Sequence, residues 1–349
     1  MKTFAGMTAQ RLEGLLEKFP RLRIAVIGDF FLDKYLDVDP ALAEVSLETG
    51  KTAHQVVAVR HSPGAAGTVV SNLAALGAGR LHALGLTGDD GESYDLRKDL
   101  VALGCGIEHL HADPTRRTPT YLKPRDRSDP SLAGEHSRYD TKNRDVTPGT
   151  LQEKIVASVE ALLSSVDAVI AMDQVEEPDC GVVTSRVVEV LANLSPRHPR
   201  VIFWADSRRR IRHFRRVIVK PNQFEALGWE SPPPDAKVDP AELAVAIRRL
   251  REQVAAPVFA TCGPGGMVVS DPEPTRVAGV RVEGPIDPTG AGDSATAGVV
   301  LALAAGASLA EAALVGNLVA SITVQQLATT GTARPEQLPP QLELWRKQF

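Results

Sequence analysis

The chain has 349 residues, of which 43% are hydrophobic and 23% are charged. This composition is that of a folded globular protein, and it excludes an intrinsically disordered chain. Lys and Arg number 39 against 43 Asp and Glu, which gives a net charge of −4. The chain therefore lacks the overall basic charge that is typical of nucleic-acid-binding proteins. At roughly 150 residues per domain, this length allows one large domain or two smaller ones.

Cysteine spacing and the pattern of apolar residues indicate the cellular compartment of the protein. Cys105, Cys180 and Cys262 are widely separated, and no CxxC motif occurs. This spacing favours neither a disulfide framework nor a zinc site, and it is typical of a reducing cytoplasm. The N-terminal segment carries charges where a signal peptide would be apolar, and the most apolar stretch, 295–307, is too short to span a bilayer. We therefore expect a cytoplasmic protein with no membrane partner.

Short apolar runs alternate with amphipathic stretches along the chain. This alternation predicts an α/β fold with a doubly wound, mostly parallel sheet and helices on both faces. The predicted strands are 24–28, 81–86, 168–172, 201–205, 217–219 and 258–261, and the predicted helices are 8–18, 66–76, 93–103, 151–163, 182–194, 241–254, 291–304 and 309–326.

Two stretches, 37–61 and 118–140, break the alternation and show no helical periodicity. We expect them to form a small β lid on a single domain that spans residues 1–349. Ligands of doubly wound sheets bind at the carboxyl ends of the strands. The polar residues that directly follow predicted strands, and that should line this crevice, are Asp29, Asp33, Asp173, Asp206 and Asn222.

The strongest motif is D-P-T-G-A-G-D at 287–293, directly before an apolar helix. Small residues let the backbone approach a ligand, and the free N–H groups of the first helical turn attract an anion. We expect Gly290, Ala291 and Gly292 to hold a transferring phosphoryl group. The helix dipole should lower the pKa of Asp293, so that it is ionised and acts as a general base. A simple helix cap after a glycine turn is the alternative for this segment.

The segment 287–293 matches every fixed position of the C-terminal signature of the PfkB/ribokinase family, which the sequence resembles over nearly its whole length. The resemblance implies a ribokinase-like fold and ATP-dependent phosphorylation of a carbohydrate hydroxyl. Other segments similar to those of the family occur in the same order, namely G-D-F-F-L-D at 28–33, K-P-N-Q-F-E at 220–225 and T-C-G-P-G-G at 261–266.

The resemblance also implies which residues bind the nucleotide and its ions. Asn222 and Glu225 would organise Mg²⁺ through water molecules. Asp287 and Thr289 lie where many family members bind a monovalent cation, so K⁺ is a further candidate cofactor. The residues implied in ATP binding are Lys220, Asn222, Glu225, Thr261, Gly263, Gly266 and Asn317.

Within the family, the sequence is most similar to the D-glycero-β-D-manno-heptose-7-phosphate kinases. The resemblance rests on the segments 28–35, 46–48, 119–125 and 138–140. It implies a sugar or sugar-phosphate acceptor, which would be bound by Asp33, Gly64, Thr68, Lys123 and Arg138.

The N-terminal signature departs from the family pattern. The family has approximately G-G-x-x-N, whereas this chain has Ala65 at the second glycine and Thr68 at the asparagine. The single hydroxyl of a threonine offers fewer hydrogen-bonding groups to sugar hydroxyls than the amide of an asparagine, which has both a donor and an acceptor. The acceptor specificity is therefore open. The alternatives are a nucleoside or vitamin kinase of the same fold, or a non-catalytic sugar-binding or regulatory protein.

Two further features bear on partners. The run S-R-R-R-I-R-H-F-R-R at 207–216 could contact nucleic acid, but a solvated helix is the favoured interpretation in an acidic chain, and we expect no nucleic-acid partner. Within this run, Arg208 directly follows a predicted strand and could reach a phosphate.

A lid sheet has unpaired edges and an apolar face, so we expect a homodimer formed through the lid.

Overall fold

The computed structural model describes residues 1–129, 134–233, 235–327 and 330–349. Its strands are β1 Lys2–Thr3, β2 Arg23–Gly28, β3 Phe30–Val38, β4 Glu44–Val45, β5 Thr52–Ala53, β6 Val56–Ala65, β7 Arg80–Thr87, β8 Cys105–Ala112, β9 Thr120–Asp126, β10 Tyr139–Thr141, β11 Ala168–Asp173, β12 Ile202–Ser207, β13 Ile218–Val219, β14 Val258–Thr261, β15 Met267–Ser270 and β16 Pro274–Val277. Its helices are α1 Ala9–Leu16, α2 Ala66–Ala75, α3 Gly91–Ala102, α4 Gly149–Leu162, α5 Ser185–Leu194, α6 Gln223–Leu227, α7 Pro240–Val254, α8 Ala291–Ala304, α9 Leu309–Thr323 and α10 Leu338–Gln348.

The main sheet has the strand order β1-β16-β15-β14-β13-β12-β11-β2-β7-β8. The seven strands from β14 to β8 are parallel to one another, whereas β15 is antiparallel to both β14 and β16. Alternate residues of a strand enter opposite layers of the core: Ile24 and Val26 of β2 pack in one cluster, and Ala25 and Ile27 pack in the other. The predicted α/β fold with helices on both faces is confirmed.

Helix α8 is buried around its whole circumference, as its apolar sequence predicts. It packs tightly on α9 because glycines occupy the crossing: a methyl carbon placed on Gly316 would lie 2.5 Å from Val299 Cγ2. This packing fixes the direction in which the N-terminus of α8 points. Among the described residues, no helix is both long and apolar enough to cross a membrane.

The lid is a four-stranded sheet with the order β10-β9-β3-β6. β3 pairs antiparallel with β6 and parallel with β9. Its first part runs from Phe30 to Ala65 rather than over 37–61, and residues between β3 and β6 form the separate hairpin β4–β5. The second part extends to Thr141, and residues 130–133 of the predicted lid lie outside the described residues.

Because side chains alternate along a strand, the lid has two distinct faces. Lys34 Nζ lies 3.3 Å from Glu92 and 3.4 Å from Asp95, both on α3. A cavity of about 490 Å³ lies on this outer face, between the lid and the start of α3. The opposite face carries Asp33 and Tyr35, and this inner face belongs to the site described below.

The arginine-rich run at 207–216 is not the predicted helix. Ser207 ends β12, and only a short 3₁₀ turn, Ile211–His213, follows. Arg210 instead turns inward and binds the buried carboxylate of Asp173 and the carbonyl oxygen of Val175. Interior carboxylates and carbonyls that need donors compete successfully with helix formation here.

Candidate active site

The N-terminus of α8 forms an anion-binding nest. Its N-cap, Gly290, has a φ of 76°, a left-handed conformation that glycine adopts without strain. A methyl carbon placed on Gly292 would lie 3.4 Å from Lys220 Nζ, so the ammonium group lies directly above the first helical turn. Backbone N–H groups and a lysine thus converge on one point, an arrangement suited to a phosphoryl group.

Asp293 lies in the same first turn. Its pKa is shifted upwards, which is opposite to the downward shift expected from the sequence. Burial raises the pKa of Asp293 to about 7, and the negative charge of Asp206 adds to this effect, while Lys220 and Arg208 oppose it. The helix dipole alone would lower the pKa, but desolvation of a carboxylate outweighs it. The raised pKa of Asp293 favours proton transfer, since a general base works best with a pKa near the operating pH.

A buried ion pair fixes Lys220 over the nest. Its Nζ lies 2.7 Å from Asp206 Oδ2, and 6% of the lysine side chain is exposed. Although burial opposes the charged form, Asp206, Asp293 and Glu225 together hold the pKa of Lys220 above its ordinary value. Sequence reasoning assigned Asp206 to the crevice but could not identify its partner, since nothing in the spacing links the two residues.

The N-x-x-E segment is a capping box on the short helix α6. Asn222 Oδ1 accepts hydrogen bonds from the backbone N–H groups of Phe224 (2.8 Å) and Glu225 (2.9 Å), and Glu225 Oε2 accepts one from the Asn222 N–H (2.7 Å). Burial raises the pKa of Glu225. In the described part of the chain, its second carboxylate oxygen accepts no hydrogen bond. Asn222 thus acts on Glu225 through the backbone, and Glu225 keeps one oxygen for an ion or its water.

The turn after β14 is packed against the end of β16. Thr261 ends β14, Gly263 has a φ of 53°, and a methyl carbon on Gly266 would lie 2.2 Å from the carbonyl oxygen of Val277. Asn317, buried on α9, donates hydrogen bonds to that same carbonyl (3.1 Å) and to that of the next residue (3.0 Å). The structure therefore brings the predicted nucleotide residues of this region together, with Asn317 bracing the backbone.

Asp33, which is predicted to bind the acceptor, lies on the lid's inner face. Lys123 Nζ lies 2.7 Å from Asp33 Oδ1 and 3.4 Å from the Tyr35 hydroxyl. A methyl carbon on Gly64 would lie 2.5 Å from Asp33 Oδ2, so any larger residue would displace this carboxylate. Lys123, predicted to bind the acceptor, is thus paired with a carboxylate. Burial opposes its charge, but Asp33 holds the pKa of Lys123 above its ordinary value.

The departures from the N-terminal signature lie at the start of α2. Ala65 has a φ of 53° and a ψ of −116°, a conformation that favours glycine. Thr68 is 2% exposed. A methyl carbon on Gly290 would lie 3.5 Å from Thr68 Cγ2. Thr68 therefore lies where the N-termini of α2 and α8 meet.

Arg138 directly precedes β10 of the lid, and Arg208 directly follows β12 of the main sheet. The Arg138 guanidinium makes two hydrogen bonds to Asp140, of 2.7 and 2.9 Å, and its Cζ lies 4.5 Å from the centroid of the Tyr121 ring. Arg208 pairs loosely with Glu176, at 3.8 Å, and its charge reaches Asp293. Both arginines are half-exposed and can reorient towards an anion.

The turn before α8 is anchored to α9. Asp287 is buried, its N–H donates to the carbonyl of Val324 (2.7 Å), and its Oδ1 accepts the N–H of Thr289 (3.0 Å). Ser294 on α8 shares a hydrogen bond of 2.9 Å with Thr323. In the described ranges, no group of three or more His, Cys, Asp or Glu side chains could hold a metal ion. The monovalent-cation site stays a prediction.

Two aspartates predicted to line the crevice instead anchor a loop. Asp29, 3% exposed, accepts the backbone N–H groups of Gln174 (2.9 Å), Val175 (3.2 Å) and Val182 (2.7 Å). Asp173 is neutralised by the inward-pointing arginine described above, and burial raises its pKa to about 6. Asp29 holds the segment between β11 and α5 in place by accepting its buried N–H groups, and Asp173 does so through Arg210, which also donates to the carbonyl oxygen of Val175.

Comparison with known proteins supports a carbohydrate kinase. The family model for pfkB family carbohydrate kinases matches residues 23–336. The chain is 29% identical over 321 residues to the bifunctional protein HldE of Caulobacter vibrioides, covering 91% of this chain and 63% of that protein. It is 30% identical over 332 residues to HldE of Desulfatibacillum aliphaticivorans, covering 93% and 64%. The chain thus spans less than two thirds of the length of these relatives.

Solved structures show the same fold. Phosphofructokinase-2 from Escherichia coli, in complex with substrates and products, matches with a TM-score of 0.69 at 17% identity, covering 92% of this chain and 99% of that one. A ribokinase from Cryptococcus neoformans var. grubii, in complex with ADP, matches with a TM-score of 0.62 at 19% identity, covering 93% and 99%. The fold is therefore ribokinase-like. The chain belongs to the pfkB family of carbohydrate kinases, and the predicted family is confirmed.

Proposed function

We propose that this protein transfers the γ-phosphoryl group of ATP to a hydroxyl of a sugar phosphate, and that the acceptor is a heptose 7-phosphate. The observation that carries the proposal is Asp293, a carboxylate of pKa about 7 in the first turn of α8, beneath the ammonium group of Lys220. A non-catalytic sugar-binding protein would need neither a base tuned to neutral pH nor a lysine at an anion nest.

The reaction follows from this arrangement. Asp293 accepts the proton of the acceptor hydroxyl as the oxygen attacks the γ-phosphorus atom, and the bond from phosphorus to the bridging oxygen of ADP breaks. The N–H groups of Gly290 and Gly292, with Lys220, stabilise the charge on the transferring phosphoryl oxygens. The predicted donor Ala291 does not contribute, because its N–H already donates to the carbonyl oxygen of Pro288 at 3.1 Å. ADP and a sugar bisphosphate are the products.

The donor set also fits Mg²⁺ and a nucleotide. Mg²⁺ in nucleotide-dependent enzymes is bound by one or two carboxylates, by water and by the phosphates themselves, and Glu225 keeps one oxygen for this purpose. When bound, the ion neutralises phosphate charge. Thr261, Gly263 and Gly266 would contact the nucleotide, while Asn317 holds the backbone beside them. Asp287 and Thr289 would contribute to binding K⁺ next to the nest.

Charge on the lid supports a phosphorylated acceptor. Asp33, Lys123 and Arg138 all lie on the lid, whereas Thr68 lies beside the N-terminus of α8. A neutral sugar needs no cationic cluster, whereas a phosphate does. The lid segments that resemble heptose-phosphate kinases carry these cations, which is why we take a heptose 7-phosphate as the acceptor.

The lid also supports a homodimer. Apolar side chains are exposed on it and on its hairpin, including Val45, which is 70% exposed, and Leu47, which is fully exposed. Large contiguous apolar patches rarely face water in a monomer. We expect light scattering at micromolar concentration to give twice the 37.3 kDa mass of one chain, and a 37.3 kDa species alone would contradict this. An ATP-consuming sugar kinase of this kind would work in the cytoplasm.

The function is tested by ADP release with a panel of sugars, sugar phosphates and nucleosides. We expect release with heptose 7-phosphate, and we expect Asp293→Asn to lower turnover by roughly 10²–10⁴ with little change in ATP affinity. Asp89→Asn, an exposed aspartate, is the matched control. ADP release with nucleosides alone, or with no acceptor, would refute the proposal.

A further inference from the structure

Three cationic groups surround one aromatic ring on the inner face of the lid. The centroid of the Tyr121 ring lies 4.5 Å from Arg138 Cζ, 6.0 Å from Lys123 Nζ and 5.8 Å from Lys142 Nζ. Tyr121 is the register neighbour of Asp33 across the parallel β3–β9 pair, so the ring lies beside the acceptor carboxylate. The ring face favours cations within about 6 Å, and it gathers these three groups at one place.

Two of these cations are already neutralised. Lys123 is paired with Asp33 at 2.7 Å, and Arg138 is paired with Asp140 at 2.7 Å. Lys142 makes an ion pair with no carboxylate in the described ranges, and the residues outside those ranges contain no Asp or Glu. Three cations therefore face two carboxylates, and Lys142 carries the surplus positive charge.

The segment between β11 and α5 does not neutralise the positive charge of Lys142. Its two glutamates, between β11 and α5, are engaged elsewhere: Glu177 pairs with Arg144 at 2.9 Å, and Glu176 with Arg208 and Arg209 at 3.8 and 3.5 Å. The charge of Lys142 is thus available to a ligand anion, whereas Lys123 and Arg138 would each have to leave a carboxylate first. An unpaired, partly desolvated lysine beside a crevice is a natural phosphate contact.

We infer that Lys142 determines specificity for the phosphorylated acceptor by receiving its phosphate group, with Tyr121 as the platform that holds the ammonium group. This inference rests on the proposed function and deepens it by naming the residue that separates a sugar phosphate from its parent sugar. Sequence reasoning missed Lys142 because it follows the R-Y-D segment without belonging to a recognised motif.

The test measures binding without turnover. Heptose 7-phosphate and the parent heptose are titrated calorimetrically into the wild-type protein and into Lys142→Gln, Lys142→Arg and the control Lys98→Gln, an exposed lysine on α3. We expect Lys142→Gln to weaken binding of the phosphate by about tenfold or more, the loss of one charge-assisted hydrogen bond, and to leave the heptose unchanged. Lys142→Arg should retain most of the affinity, and thermal unfolding should match the wild type.

The outcomes separate this inference from the proposed function. Equal affinity of Lys142→Gln and wild type for heptose 7-phosphate would overturn the role of Lys142, even if the wild type released ADP with that acceptor. Equal affinity of the wild type for the two sugars would overturn it as well. Binding of the phosphate that depends on Lys142, without any ADP release, would support the inference and refute the proposed kinase reaction on this acceptor.

Discussion

Asp293→Asn should reveal a conflict between stability and catalysis. In the folded chain the pKa of Asp293 rises from 3.8 to about 7. At 1.36 kcal/mol per pKa unit, holding this carboxylate ionised costs the folded state about 2–4 kcal/mol, the lower figure allowing for its partial exposure to solvent. Asparagine keeps the shape without the charge, so the variant should be more stable than the wild type while losing its base.

The pH dependence fixes the sign of this effect. Between about pH 4 and pH 7 the unfolded carboxyl group of Asp293 has lost its proton while the folded one still holds it, so this group's contribution to stability falls as pH rises. The full cost is present above pH 7. We therefore expect Asp293→Asn to unfold at a higher temperature than the wild type at pH 8, with a smaller difference at pH 5.

The activity of the wild type should follow the same ionisation. kcat/KM should fall about tenfold per pH unit below pH 7 and level off above pH 8, because only ionised Asp293 accepts the proton. Asp206→Asn should move this limb to lower pH, since the charge of Asp206 helps to raise the pKa of Asp293. Asp89→Asn should leave it in place. A flat profile between pH 6 and pH 8, or a less stable Asp293→Asn at pH 8, would refute the reasoning.

Three further substitutions test individual parts of the site. Gly64→Ala would push the Asp33 carboxylate away from Lys123 and should raise KM for the acceptor at least about tenfold with KM for ATP unchanged; steady-state kinetics with an unaltered acceptor KM would contradict this. Ala65→Gly relieves a positive φ of 53° and should raise the free energy of unfolding by about 0.5–1 kcal/mol in urea, so a loss of stability would be inconsistent with strain there. Glu225→Gln should raise the Mg²⁺ concentration needed for half-maximal rate about tenfold, and an unchanged Mg²⁺ titration would remove Glu225 from the ion's environment.

Secondary structure was predictable wherever hydrophobic periodicity was strong. Helix α8 was predicted over 291–304 and is Ala291–Ala304. Helix α10, Leu338–Gln348, was not among the predicted helices, and it carries two prolines in its first turn. Prolines are tolerated in the first helical turn, where their missing N–H groups would have no partner. The lid was predicted to begin too late because β3 follows β2 almost directly, so that the two strands resemble one apolar run.

The site was predictable in its residues more than in their interactions. The motifs predicted that Asp293 and Glu225 lie in one crevice, since the carboxyl ends of parallel strands share an edge of the sheet. It could not indicate that Lys123 pairs with Asp33, because which charges meet depends on strand register in the lid. The pKa of Asp293 was predicted in the wrong direction because burial depends on the packing of distant segments, which a local motif does not contain.

The central claim is that a phosphoryl group passes from ATP to a hydroxyl of a sugar phosphate through Asp293. ³¹P nuclear magnetic resonance of a mixture of the wild-type protein, ATP, Mg²⁺ and heptose 7-phosphate tests it most directly. We expect the γ-phosphate signal of ATP to be replaced by a second phosphate-ester signal on the sugar, and the parallel Asp293→Asn sample to change at least about a hundredfold more slowly. An unchanged sugar spectrum, or equally fast conversion by Asp293→Asn, would contradict the account.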